Sequence, residues 1–245
     1  MRRRSSSGVV EFLKTVIYAV LIAIAIRTAA FEPFNIPSGS MVPTLLIGDY
    51  LFVSKFSYGY STASLPYGLK LFDGRVLFRE PERGDVAVFK LPRDNKTDYI
   101  KRIVGLPGDR IQVRGGLLHI NDQPAKRERI EDYIDVEGPV VSRVAQYVET
   151  LPSGRKHRIL EVSDDGSLDN TPVYVVPPGH YFAMGDNRDN SLDSRVQNSV
   201  GYIPAENLVG RAEIMFFSTD GTAAWWQPWK WPSATRYGRL FRGID

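Results

Sequence analysis

The hydrophobic pattern changes character once, near residue 31. Residues 9–31 are apolar almost throughout, broken by Glu11, Lys14 and Arg27. The uninterrupted part, residues 15–26, would rise only about 18 Å as a helix, short of a hydrocarbon core of about 30 Å. Lys14 and Arg27 lie near its ends, where their stems can be buried while their heads reach the interfaces, and this extends the usable helix to about 20 residues. The pattern therefore predicts one tilted transmembrane helix over residues 10–31, preceded by a basic segment, 1–9. Arg2, Arg3 and Arg4 place that segment in the cytoplasm and everything beyond residue 31 outside it. The competing reading is a cleavable signal peptide ending at Thr28-Ala29-Ala30.

Beyond residue 35 the period shortens. β-branched and aromatic runs punctuated by Gly, Pro, Asn and Asp predict antiparallel strands at 50–53, 85–91, 99–104, 110–113, 117–120, 173–176, 180–184 and 210–217. Turn chemistry separates them: Leu106-Pro107-Gly108-Asp109, Gly115-Gly116 and Pro177-Pro178-Gly179 each suit a tight reversal. Residues 122–172 are the most polar and irregular, and read as an insertion whose charge clusters, at 126–131 and 163–170, are solvated surface.

Composition removes several functions. With no cysteine there is no disulfide, thiol nucleophile, thiolate zinc site or iron–sulfur cluster. His119, His157 and His180 are scattered and match no transition-metal spacing. The net charge of +3 arises within residues 1–34; the other 211 residues carry 26 charges of each sign, no footprint for a nucleic-acid binder. All four tryptophans, Trp225, Trp226, Trp229 and Trp231, fall within seven positions, followed by Arg236, Arg239 and Arg242. These rings either pad a β core or sit with the arginines at lipid headgroup level, where anionic lipids would suit them.

Two local patterns could carry chemistry. In Pro37-Ser38-Gly39-Ser40-Met41-Val42-Pro43, prolines stiffen both ends of a loop that presents Ser40, although Ser-Gly-Ser alone is also an ordinary turn. A nucleophilic serine needs a base, and no histidine stands in a distinctive setting; His180 reads as structural. A lysine can serve if burial lowers its pKa by about 2 to 3 units. Lys101, which alternation places on one strand face with Tyr99 and Ile103, is the candidate; a surface lysine on an edge strand is the alternative.

Taken together, four segments resemble bacterial type I signal peptidase (leader peptidase). They are Pro37-Ser38-Gly39-Ser40-Met41-x-Pro43-Thr44-Leu45; Arg83-Gly84-Asp85-Val86; Tyr99-Ile100-Lys101-Arg102-Ile103-Val104-Gly105-Leu106-Pro107-Gly108-Asp109; and Gly185-Asp186-Asn187-Arg188-Asp189-Asn190-Ser191-x-Asp193-Ser194-Arg195, in the family's order. The resemblance implies a serine endopeptidase of the bacterial inner membrane, with its catalytic domain on the periplasmic side, that removes signal peptides from preproteins after Ala-x-Ala. It implies Ser40 as nucleophile, Lys101 as general base, Ser38 with the Ser40 N–H as oxyanion hole, and Ser191 as a hydrogen-bond partner orienting the lysine. Asp186, Arg188, Asp193 and Arg195 look like the family's supporting ion pairs, with Arg102 joining them. Phe34, Ile36, Pro37, Met41, Leu45, Leu51, Asp98, Tyr99 and Ile100 match substrate-binding positions. No metal or organic cofactor is implied, and contact with a translocon is left open.

The fold expected is mainly β: a single N-terminal transmembrane helix, then a coiled, barrel-like antiparallel catalytic sheet (32–57, 79–108, 180–224). A smaller inserted β subdomain (58–78, 109–179) and the Trp-rich tail (225–245) complete it. A dedicated pilin- or conjugation-processing relative, or a membrane-anchored β scaffold without activity, are the other readings. Intact Ser40, Lys101 and Ser191 weigh against the last.

Overall fold

The structure, a computed structural model, describes residues 6–65, 74–137 and 140–244. Arg2, Arg3 and Arg4, and residues 66–73 of the expected insertion, lie outside them.

The apolar N-terminal pattern is helical: α1 runs Ser6–Ala29, and its stretch Gly8–Thr28 has a mean hydropathy of 2.3 with none of it buried in the protein. Those 21 residues span about 31 Å, so the flanking Lys14 and Arg27 do extend the helix beyond its uninterrupted core. Phe31, apolar enough to count with the helix, instead opens the first strand. The Arg27 guanidinium reaches Glu32 at 3.0 Å where the chain leaves the helix.

The strands in chain order are β1 (Phe31–Asn35), β2 (Asp49–Ser54), β3 (Tyr60–Ser61), β4 (Arg75–Val76), β5 (Val86–Lys90), β6 (Asp98–Gly105), β7 (Arg110–Arg114), β8 (Leu117–Ile120) and β9 (Gln123–Pro124). They continue with β10 (Lys126–Arg129), β11 (Tyr133–Glu137), β12 (Val140–Thr150), β13 (Lys156–Glu161), β14 (Tyr174–Val175), β15 (His180–Met184), β16 (Ile203–Pro204), β17 (Leu208–Ser218) and β18 (Arg242–Gly243). The main curled antiparallel sheet has the order β1-β2-β17-β5-β6-β15-β16, with β18 added to β17. Register shifts along β17 against β2 and β5, and in β15 against β6, are the bulges that bend it.

β5 shows why the sheet folds as it does. Val86 and Val88 enter one apolar cluster with Ile36, Met41, Leu45, Leu51, Val53 and Met215, while Ala87 and Phe89 enter another with Tyr58, Ile103, Tyr181 and Leu208. A strand buried on both faces reads as a continuous apolar run, and Val-Ala-Val-Phe is one. β7 and β8 join through Gly115 and Gly116 at φ +52° and +70°, the left-handed pair that a two-residue hairpin requires.

Residues 122–172 are not irregular. They carry β10 to β13, in which β12 pairs with β10, β11 and β13. Many of their polar residues face solvent, whereas Ile159 and Leu160 are buried together with the polar Gln146, Glu149, His157 and Glu161. Residues 58–65 and 75–76 lie on the main sheet: Tyr58 is buried in its core, and Arg75 donates to the Gly59, Ala205 and Tyr58 carbonyls.

Candidate active site

Ser40 sits in a single 3-10 turn, Gly39–Met41, entered through Ser38 in an extended conformation. Near the start of such a turn a backbone N–H has no acceptor within the turn and points outward. Three features immobilise it. Met41 is fully buried beneath the turn, Asn187 donates its side-chain amide to Gly39 O (3.0 Å) and its backbone N–H to Ser40 O (3.1 Å), and Thr44 Oγ1 donates to Asp186. Gly185 presses on the same turn. A Cβ there would lie 2.5 Å from Ser40 O and 2.2 Å from Ser191 Oγ, so no larger residue fits.

β6 brings Lys101 to this serine. Its Nζ donates to Ser40 Oγ at 2.7 Å and to its own strand's Ile100 O at 2.9 Å, and lies 5.3 Å from the Tyr99 ring. The side chain is buried, and burial lowers its pKa from 10.5 to about 8 against the opposing charges of Asp193 and Asp186. About a tenth of the amine is then neutral at pH 7. Ser38 Oγ stands 3.4 Å from Ser40 Oγ.

Ser191 lies under the dyad, but not as expected. Its hydroxyl is buried and makes no hydrogen bond to Lys101, whose partners are Ser40 and the Ile100 carbonyl.

The residues expected to form supporting ion pairs are all paired, and Glu149 joins them. Arg102 grips Asp186 through Nε (2.9 Å) and a terminal nitrogen (2.8 Å), and Arg195 grips Asp193, both at 2.9 Å. Arg188 pairs with neither aspartate: it is fork-bonded to Glu149 on β12. Burial opposes ionisation of Glu149, but Arg188 and then His157 overcome it and hold the carboxyl far below its usual range. His157 faces Glu149 across the β12–β13 ladder, with Nε2 3.3 Å from that carboxylate and 3.9 Å from Asp186. Burial, with Arg102 behind it, lowers the imidazole pKa and keeps it neutral. His157 is thus in a distinctive setting after all. Sequence reading missed it and Glu149 because their only sequence signal is a cross-strand register in a segment that looked irregular.

Of the positions matched to substrate binding, Phe34, Ile36, Met41, Leu45, Leu51 and Ile100 meet in one apolar cluster. Met41, Leu45 and Leu51 have no accessible surface, so they support the wall rather than line it; Pro37 is exposed and Phe34 and Ile100 half-buried. Tyr99 packs on the other face of the sheet, against Phe89. Asp98 is exposed and pairs with Lys90 at 2.8 Å. A cleft of about 470 Å³ joins Phe34, Asp98, Ala63, Leu65 and Val209 to the helix residues Ile24, Arg27 and Thr28.

A family model, "Signal peptidase, peptidase S26", matches residues 9–217. The chain belongs to this family. Curated relatives named signal peptidase I agree: that of Rickettsia canadensis (strain McKiel) is 41% identical over 94% of this chain and 92% of its own length. That of Rickettsia typhi (strain ATCC VR-144 / Wilmington) is 40% identical over 93% and 90%. A solved signal peptidase I from Enterococcus faecalis V583 is 25% identical, covers 54% of this chain and 97% of its own, and superimposes with a TM-score of 0.31. The protein is a peptidase of the signal peptidase I family, and its exposed apolar helix is consistent with membrane attachment.

Proposed function

We propose that this chain is a membrane-bound serine endopeptidase that cuts signal peptides from exported preproteins after Ala-x-Ala, with Ser40 as nucleophile and neutral Lys101 as base. The observation that carries this reading is the 2.7 Å hydrogen bond from Lys101 Nζ to Ser40 Oγ, made by a buried lysine with a pKa of about 8. Ser40 Oγ attacks the scissile carbonyl carbon as its proton passes to Lys101 Nζ. The developing oxyanion is met by the Ser40 N–H and the Ser38 hydroxyl. Lys101 then returns the proton to the leaving amine, and water, activated by the same lysine, releases the acyl group.

The substrate lies extended along strand edges. β1 is the last strand of its sheet, and β15 pairs with β6 only from Arg102 onward, so Asp98 to Lys101 keep a free edge away from β5. The cleft joins these edges to the end of α1, where a membrane-embedded signal sequence would emerge. Half-buried Phe34 and Ile100 leave shallow pockets suited to alanine.

Attachment to the bacterial inner membrane with a cytoplasmic N-terminus follows from the basic segment before α1. A second contact with lipid is supported by the tail, whose four tryptophans are all exposed, and by Phe31, Tyr50, Phe56 and Phe217, also exposed. Arg236 and Arg239 are withdrawn from that role. They bind the Ile47 carbonyl and the Asp49 carboxylate of the serine loop, which leaves Lys230 and Arg242 exposed.

The deciding experiment is cleavage of a preprotein bearing Ala-x-Ala by the detergent-solubilised protein, beside Ser40→Ala and Lys101→Ala, with N-terminal sequencing of the product. Cutting after the second alanine by the unmodified protein alone supports the reading. Cutting by either variant at the full rate removes that residue's role.

A further inference from the structure

The segment 163–170, polar enough to pass for solvated surface, delivers one of its acids to the interior. Asp169 is fully buried, Glu161 at the end of β13 is 2% exposed, and Asp189, from the segment that carries Asp186 and Ser191, meets them at the solvent boundary. One carboxylate oxygen from each lies within 4.8 Å of the others. Both oxygens of Glu161 and Oδ1 of Asp169 are buried with no hydrogen-bond partner. Of the others, Asp169 Oδ2 accepts from Gly166 N–H, and Asp189 Oδ2 from the Val162 and Ser163 N–H groups.

Two glycines close over the cluster. A Cβ on Gly166 would lie 3.0 Å from both Asp169 Oδ2 and Asp189 Oδ1, and one on Gly116 would lie 2.8 Å from Glu161 Oε1. Cations nearby are already engaged. Arg188 is fork-bonded to Glu149, and Arg127 holds Asp164 at 3.0 Å while standing 4.0 Å from Glu161. Three carboxylates therefore converge with Arg127 divided between Asp164 and a long 4.0 Å contact to Glu161, and buried acceptors without a hydrogen bond are costly unless something binds them.

We propose that Glu161, Asp169 and Asp189 bind a divalent cation, Ca²⁺, which clamps the 163–170 segment to the strand end and to the segment bearing Asp186 and Ser191. An all-oxygen donor set excludes soft transition metals. Calcium accepts irregular shells of six to eight oxygens, with water completing the open side at Asp189, where magnesium demands a near-regular octahedron. Burial, reinforced by Asp189 and Asp169 against the pull of Arg188, pushes the Glu161 carboxyl up to about 8. A proton on Glu161, shared with a neighbouring carboxylate, is the rival way to neutralise the cluster. The site is independent of the proposed cleavage reaction, and its test does not read activity.

The full-length protein in detergent, stripped with a chelator, is titrated with CaCl₂ by calorimetry and by thermal unfolding. Expected are saturable binding of one ion and a Tm rise of about 5–10 °C at a hundredfold excess over Kd. Glu161→Gln and Asp169→Asn should each weaken binding at least tenfold and abolish the shift, and MgCl₂ should bind more weakly. Amide hydrogen exchange of residues 162–170 in the unmodified protein, slowed by Ca²⁺, locates the ion without any variant. No saturable heat and no Tm change up to 10 mM would overturn the proposal in favour of the shared proton. Undiminished binding in both folded variants, or exchange at 162–170 indifferent to Ca²⁺, would overturn it by placing the ion elsewhere.

Discussion

At the scale of single residues, Lys101 carries consequences for both activity and stability. Its pKa of about 8 in the folded protein, against 10.5 unfolded, means that kcat/KM should rise with pH through an acidic limb near 8 and level off above it. That limb should survive replacement of all three histidines. A limb that vanishes with His157 would assign the base elsewhere. Stability also rises with pH, but over a different window: between pH 8 and 10.5 the unfolded chain binds the extra proton, so the folded state gains as that proton is lost. Below pH 8 the buried ammonium costs about 3 kcal/mol. Lys101→Met should therefore be inactive yet melt several degrees higher at pH 7, the gap closing toward pH 10.5. An equal or lower Tm at pH 7 would refute the buried-charge account. Gly185 acts by size. Gly185→Ala forces a methyl to 2.5 Å from Ser40 O, and kcat should fall at least tenfold with little change in KM, since the nucleophile moves while the cleft does not. Wild-type kcat in this variant would show that the serine turn tolerates displacement.

At the scale of elements, the sheet β10–β13 is part of the site's support. Glu149 on β12 neutralises Arg188, and Leu160 on β13 donates its N–H to Asp186 O at 2.8 Å. Removing one partner of a buried ion pair leaves an unpaired charge in the interior. Glu149→Gln should thus lose about 3–5 kcal/mol of stability, measured by denaturant unfolding, whereas the exposed pair Lys126–Glu128 should matter by less than about 1 kcal/mol when broken. A loss below about 1 kcal/mol for Glu149→Gln would mean that the sheet merely rests on the catalytic segment. β2, β5, β6, β15 and β17 of the main sheet were legible because their apolar runs are long, and His180–Met184, like Leu117–Ile120 in the sheet of β7 and β8, coincides with its expected bounds, whereas β1, β16 and β18 were not read. β10 to β13 were not: polar residues occupy covered positions as well as open ones, as Glu149 and His157 do, and only tertiary pairing reveals which are covered.

At the scale of the whole molecule, the exposed apolar helix, the exposed aromatic side chains and the Trp-rich tail together underlie the proposed attachment to a bilayer. Because all four tryptophans lie between residues 225 and 231, the protein's intrinsic tryptophan fluorescence reports on the tail alone. Reconstituted in vesicles with brominated lipids, the emission should be strongly quenched, and aqueous acrylamide should quench it weakly. The opposite pattern would place the tail in water and leave α1 as the sole contact with lipid. The sequence by itself determined the apolar helix and the mainly β class and singled out Ser40 and Lys101 as the candidate pair, because hydropathy, strand period and four motifs are all local properties of the chain. Only tertiary structure decided that Lys101 bonds Ser40 and the Ile100 carbonyl, that Arg188 belongs to Glu149, and that Asp169 turns inward to join Glu161 and Asp189. Each of those outcomes depends on which residues distant in sequence share a low-dielectric interior, and no local pattern encodes that.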